Sequence, residues 1–252
     1  MEMLVHPTID QLNAMKCFGM ARALEEQLAM PDIATLSFEE RLGLLVDREV
    51  TVRTERRLKT QLKAARLRQS ACAEDIDFRH PRGLDKSLML SLNSSEWLQA
   101  HRNVLICGPT GVGKSFLACA LAHKACREGY TALYWRVPRL FHELTIAKGD
   151  GRYSKMLKTL AKKDLLVLDD WGLAPLSDEQ RRDLLEIVED RYDRRSTLMA
   201  SQLPLEHWHK VISDPTLADA ILDRLIHNAY KINLKGASMR KQKESLTQAD
   251  PV

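Results

Sequence analysis

From residue 8 to residue 70 the apolar positions recur at helical spacing. In "TIDQLNAMKCFGMARALEEQLAM", Ile9, Leu12, Met15, Met20, Ala23 and Leu24 stand mostly three and four residues apart, which predicts one amphipathic helix. Thr8 or Asp10 is placed to cap its start, and Pro31 to end it. "SFEERLGLLVDREVTVRTERRLKTQLKAARLR" predicts a second, longer helix, with Ser37 and Glu40 spaced as a capping box. Leu58, Leu62 and Ala65 share one face of it. Arg53, Arg56, Arg57, Lys59, Lys63, Arg66 and Arg68 crowd the remainder, offset only by Glu55.

The pattern then changes. Residues 71–86, "ACAEDIDFRHPRGLDK", mix Pro, Gly and charge and read as a linker leading into a second domain. Beyond them, short apolar runs alternate with helical stretches. "NVLICG", "TALYWRV", "LLVLDD" and "STLMASQL" predict strands, and a short apolar strand follows the helix holding Arg224. "KSFLACALAHKACREG" and "SDEQRRDLLEIVEDRYDRR" predict helices, the second opened by Ser177. "PRLFHELTIAKGDGRYSKMLKTLAKK" is helical with a break near Gly149 and Gly151. Strands that are apolar throughout imply a parallel sheet covered by helices on both faces, an α/β fold.

Composition narrows this picture without redrawing it. The 252 residues are 44% hydrophobic, enough for a core, and suit one mid-sized domain with a smaller one. The net charge of +4 is too mild to imply a nucleic-acid partner, so the placement of charge must decide. No apolar run approaches the roughly 20 residues of a membrane span, and the N-terminal stretch does not read as a secretory signal. Cys17, Cys72, Cys107, Cys119 and Cys126 form no CxxC pair, which argues against zinc or a disulfide framework. A reducing, cytoplasmic setting is the expectation.

The chemistry begins at Gly108. "GPTGVGKS" satisfies GxxxxGK[ST] and lies between a predicted strand and a predicted helix. Gly108, Pro109, Thr110, Gly111, Val112, Gly113, Lys114, Ser115 and Phe116 are therefore the candidate nucleotide-binding residues. Backbone N–H groups of such a loop, aided by the helix dipole, hold phosphates. Lys114 is placed to reach the β- and γ-phosphates and Ser115 to ligate Mg²⁺. "LLVLDD" ends a strand in two carboxylates, which inside a core require a metal or cations. Asp169 is the candidate Mg²⁺ residue, directly or through water. Asp170 is the candidate that orients or deprotonates the attacking water. No Asn-Lys-x-Asp motif marks a GTPase, and no acceptor or lid signature marks a small-molecule kinase.

Taken together, "GPTGVGKSFLACAL", "LLVLDDWGLAPL", "STLMASQLP", "DRLIHNAYKINLKGASMRK" and the basic helical stretch resemble IstB-type transposition helpers, ATPases encoded beside a transposase in bacterial insertion sequences. The resemblance runs from about residue 10 to 245. It implies a helical N-terminal domain at 1–70, an AAA+ core of the DnaA/DnaC clade at 71–245 and a tail at 246–252. It also implies ATP and Mg²⁺ as cofactors, duplex DNA and a cognate transposase as partners, and a homo-oligomer assembled with ATP on DNA. By the same resemblance Ser201 is the sensor 1 residue, with Gln202 beside it as the alternative. Arg224 matches the arginine finger and Arg240 the sensor 2 arginine. The sequence departs from the pattern at Asp170, where many AAA+ ATPases have Glu, and at Ala237, which removes an acidic partner for Arg240. A DnaC-like helicase loader is the competing function, and a scaffold with a structural nucleotide is the third.

DNA contacts are read from charge. Arg53, Arg56, Arg57 and Lys63 on the long helix form one candidate surface, with a solvated helix face or a protein-docking face as the alternative. Lys148, Arg152 and Lys155, in the interrupted helical stretch, form the other. No zinc-finger, helix-turn-helix or RRM signature appears, so backbone- and shape-dependent binding is expected. Tyr134, Trp135, Trp171 and Trp208 read as core or subunit-interface residues rather than base-stacking ones.

Overall fold

The computed structural model describes residues 7–239; Arg240 and the tail at 246–252 lie outside them. The chain forms two compact units that divide between Thr60 and Gln61.

In the first unit the predicted N-terminal helix is two helices, α1 (Pro7–Ala14) and α2 (Phe18–Ala29). Lys16 adopts φ 61° between them and reverses the chain. The reversal lets Ile9 and Leu12 cluster with Ala21, which one continuous helix could not do. Met15, at the turn, is left exposed. Helix α3 (Phe38–Ala65) begins at the expected capping box: Ser37 Oγ accepts from the Glu40 N–H at 3.2 Å, and the Glu40 carboxylate accepts from the Ser37 N–H at 2.8 Å. Glu49, buried on α3, accepts from the N–H groups of Gly19 (2.6 Å) and Met20 (3.1 Å). It thereby satisfies first-turn donors of α2 that have no partner within their own helix.

The second unit begins earlier than the sequence suggested, within the last turns of α3. Gln61 Nε2 donates to the Gly129 carbonyl at 2.8 Å, and Ala65 is fully buried. Residues 71–86 are packed rather than free: Ala71, Ala73 and Ile76 are buried, and Arg82 is 1% exposed. Two short helices, α4 (Lys86–Leu92) and α5 (Glu96–Gln99), lead into the sheet and were not anticipated.

The sheet contains β1 (Asn103–Cys107), β2 (Ala132–Arg136), β3 (Leu165–Trp171), β4 (Ser196–Ser201) and β5 (Ala229–Asn233). All pairings are parallel and the order is β2-β3-β4-β1-β5. Helices α6 (Lys114–Arg127), α7 (Val137–Gly149), α8 (Tyr153–Lys162), α9 (Asp178–Arg191), α10 (Trp208–Ile212) and α11 (Pro215–Ile226) make the connections. The break between α7 and α8 falls at Gly149–Gly151, as the sequence indicates, and Ser177 caps α9 in a capping box with Gln180. Leu166, Leu168, Met199, Leu144 and Trp208 meet in the main core. Trp171 and Trp208 pack there with ring centroids 5.6 Å apart, and Tyr134 is also buried. Arg191 is buried as a pin: it donates to Thr197 Oγ1 and to the carbonyls of Leu160, Lys163 and Ser196, joining α8, α9 and β4. Among the described residues no helix is long and apolar enough to cross a membrane.

Candidate active site

In a parallel sheet the strands' C-terminal ends converge on one edge, and ligands bind in the crevice beyond it. Here β1 delivers the glycine-rich loop, β3 the two aspartates and β4 Gln202 to that edge. A cavity of about 550 Å³ opens between them, lined among others by Thr110, Lys114, Ser115, Phe116, Asp170 and Gln202.

The loop is held from both sides. Gly108 has φ 150°, and a Cβ there would stand 2.5 Å from the Leu234 carbonyl oxygen. Leu234 itself donates to the Cys107 carbonyl at 2.8 Å, so the chain leaving β5 lies against the loop. The Met239 N–H donates to the Gly111 carbonyl at 3.0 Å. From the other side Arg82 donates to the Val112 carbonyl at 3.0 Å. Val112 is fully buried and anchors the loop, while its neighbours face the cavity. Gly113, with φ 96°, precedes α6 and aims that helix's N-terminus at the crevice. Lys114 Nζ donates to the carbonyls of Gly108 and Pro109, both at 2.7 Å, spanning the loop from within. Thr110 Oγ1 donates to Gln202 Oε1 at 2.8 Å, tying the loop to the end of β4.

Adjacent residues of a regular strand point to opposite faces. The β3–β4 register shifts between Leu168 and Trp171, and Asp170 takes φ 59°. The bulge turns both carboxylates toward one cationic group: Arg68 Nη1 stands 3.7 Å from Asp169 Oδ2 and 3.7 Å from Asp170 Oδ2. Asp169 is 1% exposed and accepts from Tyr134 Oη at 2.5 Å. Burial, and then the carboxylate beside it, push the Tyr134 hydroxyl's pKa well above its ordinary value. Asp170 reaches the cavity wall and pairs with Arg136 Nε at 2.6 Å. Asp169 lies behind it.

Three partners of these acids escaped the sequence reading. By sequence Arg68 belongs to the basic helix face, Arg136 to a strand and Tyr134 to the packing. A strand ending in two acids signals that cations must be near, but only the parallel register, which sets Arg136 beside Asp169, says which.

The two sensor 1 candidates are placed differently. Ser201 is fully buried; its hydroxyl donates to the Trp171 carbonyl at 3.0 Å and accepts from the Leu203 N–H at 3.0 Å. It braces the β3–β4 edge, and Gln202 is the residue that faces the loop. Arg224 lies at the opposite edge of the sheet. Asn103, the first residue of β1, donates to the Arg224 carbonyl at 3.2 Å, so a strand of about 13 Å separates Arg224 from its own loop. Its guanidinium pairs with Glu189 at 2.6 Å, not with Asp219 or Asp223.

The nucleic-acid candidates are scattered in their engagements. Arg53 pairs with Glu49, and Arg56 lies 5.0 Å over the Phe18 ring. Lys63 and Lys155 are exposed. Lys148 is engaged by Glu179 and Asp183, both at 2.7 Å, and Arg152 by Asp150. Arg53, Lys148 and Arg152 thus each have an acidic partner within the chain, which competes with any phosphate contact.

The family described as IstB-like ATP binding protein matches residues 10–247. A protein of Sinorhizobium fredii named as an insertion sequence ATP-binding protein is 54% identical over 239 residues, 95% of this chain and 98% of that one. In three dimensions the chain resembles a crystal structure of DnaI, with TM-score 0.57 and 21% identity over 70% of this chain and 93% of that one. It also resembles a crystal structure of the DnaC helicase loader, with TM-score 0.53 and 21% identity over 66% of this chain and 97% of that one. At such identity the structures establish a shared fold.

The geometry of the loop generates one prediction. Gly108→Ala forces a side chain onto the Leu234 carbonyl at a φ that L residues avoid. The expected cost is about 1–3 kcal/mol. Thermal unfolding should shift down by roughly 2–10 °C, with loss of nucleotide binding in equilibrium titration. An unchanged affinity would show that the loop does not hold the ligand.

Proposed function

Because this chain belongs to the IstB-like ATP-binding protein family, we propose that it is an ATP-hydrolysing helper that assembles on duplex DNA and assists the transposase of an insertion sequence. One observation carries the ATPase part: Lys114, Ser115 and Asp170 line one cavity at the C-terminal edge of the sheet. The near-full-length identity to an insertion sequence ATP-binding protein supports the context.

The residues present fit ATP with Mg²⁺. The loop supplies convergent N–H groups and one lysine, and its glycine positions leave no room for a Cβ. Mg²⁺ on a triphosphate keeps several waters and asks for one or two protein oxygens. Ser115 Oγ supplies one, and Asp169, buried, acts through water. The bound ion would neutralise charge on the phosphates. Lys114 holds the phosphates, Asp170 orients the attacking water, and Gln202 takes the sensor 1 role in place of Ser201. The competing reading, a helicase loader, draws on the DnaC likeness, which at 21% identity speaks for fold alone. Preference for single-stranded over duplex DNA would favour it.

The first test is nucleotide chemistry. Lys114→Ala should abolish tight ATP binding, since the phosphates lose their lysine. Asp170→Asn should bind ATP and turn it over at least about a hundredfold more slowly. Equal turnover by Asp170→Asn and the parent chain would remove the role given to Asp170.

The second concerns DNA. Duplex DNA should raise the ATPase rate, and its affinity should fall steeply with salt as counterions are released. Reversing Arg56, Arg57 and Lys63 together should weaken binding alike across unrelated sequences. Unchanged affinity would make the helix a protein-docking face.

The third concerns assembly. Arg224 cannot reach its own loop, so it acts as an arginine finger only on a neighbour's nucleotide. To do so it must leave Glu189. Arg224→Ala and Asp170→Asn should each bind ATP and hydrolyse little. Mixed on DNA, they should regain activity above their sum. No recovery despite co-assembly would confine Arg224 to its pairing with Glu189.

A further inference from the structure

We propose that Arg68 and Arg136 read the terminal phosphate of the bound nucleoside triphosphate from within the same chain; the inference rests on the ATPase reading above. Both guanidinium groups line the cavity that holds Lys114 and Ser115. Both face the carboxylate given the water-orienting role: Arg136 Nε at 2.6 Å and Arg68 Nη1 at 3.7 Å from Asp170 Oδ2. The two approach from different parts of the chain, Arg136 from the end of β2 and Arg68 from the segment just after α3. Nothing in the local sequence of either requires them to meet.

Their partners are exchangeable. The Arg68 and Arg136 side chains are 38% and 52% exposed, so neither is locked by burial as Arg191 is. A planar guanidinium binds a phosphate by paired, charge-assisted hydrogen bonds. A γ-phosphate between Lys114 and Asp170 therefore competes with the carboxylate for the same donors. When the arginines turn to the phosphate, Asp170 is freed to accept a hydrogen bond from water. A diphosphate lacks the competing group, and the arginines stay on Asp170. Arg68 keeps Asp169 within reach, so the buried acid is not left uncompensated by the exchange. The same two residues would thus select triphosphate over diphosphate and couple that selection to the release of Asp170.

This assignment removes Arg68 from the basic face with which its sequence position groups it. Arg66, two residues earlier, is likewise turned to this unit, its guanidinium 6.0 Å over the Trp135 ring.

The test is calorimetric titration of the full chain with a non-hydrolysable ATP analogue and with ADP, both with Mg²⁺. Arg68→Gln and Arg136→Gln should each bind the ATP analogue about tenfold or more weakly while ADP stays within about twofold. Arg68→Lys and Arg136→Lys keep the charge and should fall between. Thermal midpoints close to the parent's verify folding, and the lysine variants serve should a glutamine variant unfold. A parallel loss for both nucleotides, or for neither, overturns the proposal. Lys114→Ala separates the levels: if it retains both nucleotides, the ATPase reading itself fails. If it loses both while the arginine variants keep the parent's ATP-to-ADP ratio, only this inference falls. Duplex DNA affinity measured without nucleotide should be unchanged in Arg68→Gln; a drop would return Arg68 to the DNA face.

Discussion

Asp169 is a carboxylate at 1% exposure, at the end of a strand whose preceding residues are wholly buried. A second acid follows it immediately. Removing such groups from water is costly unless hydrogen bonds and cations replace the water. Much of the site is arranged to meet that demand. The bulge in β3 brings both acids to one side, Tyr134 donates to the deeper one, and Arg136 and Arg68 neutralise the pair. Deleting one partner leaves the rest burdened, so these residues behave as a unit in which single substitutions will not add.

The loop that faces the acids depends on segments far away in sequence. Arg82 comes from upstream of the sheet, and Leu234 and Met239 from downstream of its last strand, yet all three bond to the loop or to the strand residue before it. This explains why residues 71–86, polar and broken by Pro and Gly, are packed. A linker composition describes what the backbone permits; the buried Arg82 describes what the loop requires. Arg224, paired with Glu189, sits at the opposite edge of the sheet, a strand's length from the loop.

Much of the fold was legible because the strands are apolar throughout and the loop motif fixes where β1 ends and α6 begins. The break at Gly149–Gly151 and the caps at Ser37 and Ser177 were also readable, since capping is local chemistry. The turn at Lys16 was not: its cause is the contact of Ile9 and Leu12 with Ala21, while the three- and four-residue spacing of the apolar positions fits one uninterrupted helix equally well. The site was legible in its motifs and opaque in its partners. Ser201 and Gln202 are equally polar neighbours, and only strand alternation at the end of β4 decides which hydroxyl or amide is turned inward. Arg68 is one basic residue among seven in its stretch, and no pattern in that run distinguishes the one that enters the cavity.

The aspartate at position 170, where a longer glutamate is common, takes a different meaning once the backbone is seen. A glutamate gains reach through its side chain. Here the left-handed residue and the bulge shift the main chain instead, and the shorter carboxylate already reaches the cavity wall. At 2.6 Å from Arg136 it has no slack for an added methylene without displacing the arginine. The non-glycine φ carries a strain on the order of 1–3 kcal/mol, and such strain persists only where neighbours over-determine it. The neighbour that holds the backbone here is the Trp171 carbonyl, bonded by Ser201. The buried serine therefore braces the bulge that brings the shorter carboxylate to the cavity wall.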